Sequence, residues 1–113
     1  MVSRLSGLGA WLLQRLSAVY LLGFLLLFTL AWAGAPGAGH EALAAALARP
    51  PLALAAALAM ASLLVHAWVG VRDVILDYVH SAAWRLVALG VLATWLLSLA
   101  IWSAWILLKV TTA

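Results

Sequence analysis

The chain has no cysteine among its 113 residues. That excludes disulfides, thiolate zinc sites and cysteine-ligated iron–sulfur clusters within it. Charge is scarce too: six Lys/Arg and three Asp/Glu make 8% of the residues, against 69% hydrophobic. A soluble domain this short needs more polar surface than nine charged side chains can provide. With a mean hydropathy of +1.21, the sequence reads as an integral membrane protein. The net charge of +3 fits a few surface anchors and offers no basic patch for nucleic acid. There is no internal repeat of the transporter kind. The opening MVSRLSGLGAWLLQRL lacks a small-residue cleavage site before a mature domain, so no removable signal peptide is expected.

What is present is three long apolar segments in a single membrane domain, 1–113, of all-α class, with transmembrane helices at about 11–33, 51–75 and 84–108. Leu16 to Ala33 is uncharged for 18 residues, about 27 Å of helix against a hydrocarbon thickness of about 30 Å. Its helix is expected to begin near Gly9 to Trp11, and Gly34-Ala-Pro36-Gly37-Ala-Gly39 marks its end. His40 to Arg49 is Ala-rich and mildly amphipathic, suited to the interface or to the start of the next helix. Pro50-Pro51 suits a helix start. The second span carries Ala53, Ala57 and Ala61 at four-residue spacing, read either as a stripe for close helix approach or as chance in an Ala-rich chain. The third, Leu86 to Leu108, lies between Arg85 and Lys109. Trp102 and Trp105 suit an interfacial belt, Trp84 the opposite surface, and Trp95, deeper, is expected to pack on a helix. Arg4, Arg15, Arg72 and Arg85 fall on one side of the membrane and Arg49 and Lys109 on the other. The excess predicts a cytoplasmic N-terminus and an external C-terminus.

The second span holds the chemistry. Its end reads VHAWVGVRDVILDY, Val65 to Tyr78. His66 lies inside the apolar stretch, where an ionisable ring is costly unless bonded, paired or bound to metal. Three readings are open: a neutral histidine bonded to a neighbouring helix, an axial ligand of haem iron, or a proton relay. At about 100° per residue, Asp73 and Asp77 fall within about 20° of His66, so one face runs from imidazole to carboxylates. Asp77 is about 16 Å along the axis, and Tyr78 stands beside it at the same level, about 120° round from His66. His80 would be about 21 Å from His66 along a continuing helix, and His40 belongs to the opposite side. A two-histidine haem would therefore need its second ligand from another chain.

Arg15, with Trp11 before it and Ser17 after, is either a positive-inside anchor or a guanidinium for a carboxylate such as a haem propionate. Arg72 has the same two readings, and its adjacency to Asp73 argues against an intrahelical pair. Tyr78 with Asp77 is either an interfacial tyrosine beside a solvated charge or a hydrogen-bond donor to a quinone carbonyl, with the aspartate orienting it or helping protons arrive.

Two stretches carry a resemblance. Gly9-Ala-Trp-Leu-Leu-Gln-Arg15-Leu-Ser-Ala18-Val-Tyr20 and His66-Ala-Trp68-Val-Gly70-Val-Arg72-Asp73-Val-Ile-Leu-Asp77-Tyr78-Val, followed by Arg85, resemble the small D-type membrane anchor of succinate dehydrogenase, respiratory complex II. The three-helix layout extends the likeness over essentially the whole chain. The resemblance implies that His66 is an axial ligand of haem b. The second ligand would come from a larger cytochrome b-type anchor subunit. It implies that Tyr78 donates to ubiquinone with Asp77 beside it. Arg15 would lie near a haem propionate or the quinone pocket, and Arg72 in the haem or quinone vicinity. It further implies a bundle shared with the other anchor, capped by iron–sulfur and flavoprotein subunits that hold the clusters and FAD, in a bacterial inner membrane. Relatives often carry a polar pair ahead of the first helix's aromatic; here Gly7-Leu-Gly9-Ala-Trp11 is apolar. The competing expectations are a scaffold subunit or a fumarate-reductase-type anchor with no haem ligand at His66, and an unrelated small membrane protein.

Overall fold

In hydrocarbon a backbone must satisfy its own hydrogen bonds, and for an unbroken Leu/Ala-rich run the helix is the one-segment solution. The computed structural model describes residues 2–34, 37 and 39–112, with side chains from Gly7 onward, so Arg4's side chain lies outside it. It places α1 at Val2–Ala33, α2 at Gly39–Leu47, α3 at Pro50–Tyr78 and α4 at Ala82–Thr112, with no strand among the described residues. Three of these helices are long and apolar enough to cross a membrane.

The helices outrun the spans expected from hydropathy. α1 is helical from Val2, not from about Trp11, because a helix continues through polar residues once its hydrogen-bond ladder is running. The α1–α2 connection falls partly on residues 35, 36 and 38, outside the described set. Gly37 and Gly39 within it have φ of +92° and +65°, a region favouring glycine. The Ala-rich segment proves to be a helix of its own. Ala42 and Ala46, 1% and 2% exposed, turn inward, and α2 touches all three long helices.

Arg49 separates α2 from α3. It is extended, at φ −70° and ψ 125°, as a residue ahead of proline should be. Pro50 then opens α3, where its missing N–H has no cost. α3 ends at Tyr78, and residues 79–81 turn the chain into α4. Arg85 locks this hairpin: its Nη2 donates to the Leu76 carbonyl at 2.8 Å and its Nε to that of Val79. Part of its positive charge therefore serves the C-terminal carbonyls of α3.

α3 packs on both α1 and α4, whose backbones do not approach each other among the described residues; instead they face each other across an apolar cleft of about 500 Å³ bordered by Phe24, Phe28, Ala59, Ser103 and Ile106. The result is a three-helix group with α3 in the middle and a cleft between α1 and α4. Most large apolar side chains face outward, as lipid or a partner chain would require. Ala57 and Ala61 line a crevice of about 160 Å³ with Ala100, Ser103 and Ala104 of α4, so two members of the alanine stripe border the α3–α4 seam. On α1, Tyr20, Phe24, Phe28 and Trp32 form a ladder with successive ring centroids 6.5, 5.5 and 6.3 Å apart. Trp95 does not pack on another helix of the chain; it is 65% exposed, on a face of α4 bordered by α4's own side chains. Lys109 stands 4.3 Å over the Trp105 ring, a cation–π anchor at the end of α4.

Candidate functional site

The α1–α3 seam is the polar part of the molecule. α1 and α3 are antiparallel neighbours, and residues at the middle of α1, Gln14 and Ser17, meet the second half of α3 at Gly70 and His66. Ser17 is the buried polar side chain of the described residues, 6% exposed. Its Oγ lies 3.1 Å from Nδ1 of His66 and 2.9 Å from the main-chain carbonyl oxygen of Gln14. His66 itself is half-buried. Its Nε2 has no hydrogen-bond partner among the described residues and is not among the sealed polar atoms. One ring nitrogen is thus held within the chain and the other is left to the outside.

Other contacts fix the same seam. The Tyr20 hydroxyl donates to the Ala55 carbonyl at 2.8 Å. Ala59 and Val69 are buried nearby on α3. Gly70 leaves the Gln14 side chain room to lie across α3; a Cβ there would sit 3.5 Å from Gln14 Nε2. The Gln14 Oε1 is buried without a partner.

The remaining candidates are dispersed. Asp73 and Asp77 follow His66 on its helical face, and both are exposed. Tyr78 is 78% exposed at the last turn of α3. Arg72 and Asp73 do pair, Nη2 to Oδ1 at 3.3 Å, contrary to the expectation from their adjacency. Two flexible side chains can bend toward each other from neighbouring positions, and a half-exposed pair of this kind contributes little. The Arg72 Nε is buried without a partner. Arg15 stands 5.5 Å from the Trp11 ring centroid and is exposed. Two positions from Ser17, it is about 200° round α1, on the side turned away from His66. The structure therefore joins His66 to Ser17, and does not join it to Arg15, Tyr78 or Asp77.

No three of His, Cys, Asp and Glu come together among the described residues. His40 is exposed on α2 and His80 in the hairpin turn, at the two ends of α3. The chain offers one imidazole to a group that lies against it, and no second.

Residues 2–102 match the family model of the succinate dehydrogenase/fumarate reductase transmembrane subunit. The chain belongs to this family. As a transmembrane subunit of the succinate dehydrogenase/fumarate reductase family it is part of a multisubunit oxidoreductase complex, and its three apolar helices make it a multi-pass membrane protein. No curated protein matches it at a significant level.

Sequence reading missed Ser17 as the partner of His66, although the residue was in view beside Arg15. The signal was a small hydroxyl, with that of Tyr20 one turn on, at the start of an uncharged span. Helical phase says which residues share a face of one helix. It does not say which faces of two helices meet.

Proposed function

We propose that the chain is a membrane anchor of succinate:quinone oxidoreductase that supplies one axial ligand, His66, to haem b and part of a ubiquinone-reduction site. The observation that carries this reading is the state of His66: an imidazole within a spanning helix, held at Nδ1 and free at Nε2. Axial ligation needs an unprotonated ring nitrogen facing a group outside the chain. The donor set fits one axial position and no more, so a larger cytochrome b-type anchor would provide the opposing histidine. When bound, the haem supplies a one-electron carrier within the membrane.

The chain's own residues then have defined tasks. His66 would hold the iron through Nε2. Arg72, about 9 Å further along α3, is a cation for a carboxylate on that side. Arg15 serves the outer face of α1, where a partner subunit would lie. Tyr78, exposed and without a hydrogen-bond partner among the described residues, has a free O–H to donate to a quinone carbonyl. Asp77 beside it is an exposed carboxylate suited to passing protons from water, two of which a quinone takes with two electrons on becoming a quinol. The exposed hairpin end, with Asp73, Asp77 and His80, is the face on which iron–sulfur and flavoprotein subunits would dock. By its excess of arginine this end is cytoplasmic, in a bacterial inner membrane.

Reduced-minus-oxidised spectra of the assembled complex test the ligand. His66→Ala is expected to remove or weaken the b-type signal, and an unchanged spectrum would overturn the assignment. For the quinone site, Tyr78→Phe is expected to lower quinone reduction more than electron transfer to an artificial dye. Equal loss of both points to assembly and not to quinone binding.

A further inference from the structure

We infer that Ser17 is a positioning residue that fixes which nitrogen of His66 carries the proton, and with it which nitrogen faces the group outside the chain. The inference rests on the reading of His66 as a haem ligand, and it follows from counting protons. A serine hydroxyl has one proton and two lone pairs. The Gln14 carbonyl, three residues back on the same helix, is the nearer acceptor at 2.9 Å, in the geometry that helical serines commonly adopt. With its proton used there, Oγ has only lone pairs to offer His66 at 3.1 Å. Nδ1 must then be the donor. As a metal ligand the ring is the neutral imidazole, with a single N–H. Nε2 is left with its lone pair bare.

The same bond sets the plane of the ring. Ser17 is nearly sealed, and its hydroxyl is tied to main chain as well as to His66. The imidazole is therefore held by a fixed point on α1 and not by a mobile side chain. A hydroxyl is also a weaker acceptor than a carboxylate, so it orients the ligand while lending it little extra basicity.

Ser17→Thr and Ser17→Val, compared in the assembled membrane complex, test the inference. The two side chains have nearly the same shape, and only threonine keeps the oxygen. Two properties of the haem are read, neither of them turnover: the largest g-value of the ferric form, which reports how the two axial rings are oriented, and the ratio of reduced to oxidised haem at a fixed ambient potential. Threonine is expected to preserve both. Valine is expected to shift the g-value and to move the ratio toward the reduced form by about twofold, or about 18 mV at 59 mV per tenfold for a one-electron couple, because an imidazole without even a weak acceptor at Nδ1 is a slightly poorer donor to ferric iron. Ser17→Ala, which cannot overpack the seam, carries the same expectation as valine. Identical g-values and ratios in all three variants would overturn the role of Ser17 and leave the ligand reading standing. A b-type spectrum untouched by His66→Ala overturns the ligand reading itself.

Discussion

The two seams of α3 are held by different chemistry. Toward α1 the seam is pinned by polar contacts: Ser17 to His66, and Tyr20 to the Ala55 carbonyl. Toward α4 it is made of small and apolar side chains around open crevices, and its hydroxyls bond within their own helix, as Ser103 does to Ala100. The polar link on that side is Arg85, at the hairpin. Between helices in hydrocarbon there is little solvent-driven force, so packing and hydrogen bonds decide the association. Small residues let two helices approach without fixing their rotation. Hydrogen bonds between named atoms fix rotation and register together. The pinned seam is the one that carries the histidine, whose direction matters. The unpinned seam relies on packing along its length, with the three-residue turn and Arg85 at one end.

Identical changes on the two seams should separate these modes. The largest effect is expected from Ala59→Leu against Ala61→Leu. Ala59 is buried at the wall of the cleft that α1, α3 and α4 share, and Ala61 is exposed at the edge of the α3–α4 crevice. Overpacking at residue 59 should cost about 1–3 kcal/mol, and the change at residue 61 should stay within about 0.5 kcal/mol. Graded-SDS unfolding of the purified protein measures the difference, and equal costs would mean that the buried and open sides of α3 are packed alike. Tyr20→Phe removes one cross-helix bond and should destabilise by about 0.6 kcal/mol, the usual size for such bonds in a membrane. Ser103→Ala, which removes a hydroxyl bonded to its own helix, should shift the same unfolding midpoint by less than Tyr20→Phe does. Gly70→Ala should be smallest of all, because the added methyl would meet Gln14 at an ordinary contact distance; a large loss there would mean that α1 and α3 approach more closely than the structure has them.

Much of this was legible in the residues. Uncharged runs gave the three spans, and the cost of an imidazole in hydrocarbon singled out His66. Pro50 after Arg49 marked the start of α3. Other features depended on contacts that no single helix encodes. Ser17 and Tyr20 acquired their roles from α3, and Trp95 lost its expected neighbour because its face of α4 is bordered by α4's own side chains. The α1 boundary was missed for a simpler reason: hydropathy reports where a chain is apolar, and a helix does not stop where that ends. Arg72 and Asp73 show the limit of face counting for long side chains, which can reach around the helix to meet.

The three long helices do shelter a space of their own, the apolar cleft of about 500 Å³ that α1, α3 and α4 share. His66 is not on it. The shelter this chain builds and the nitrogen it leaves free are in different places, so whatever rests against His66 is covered by this chain on one side, and the enclosure that keeps water and stray reactants from it must be finished by a second wall.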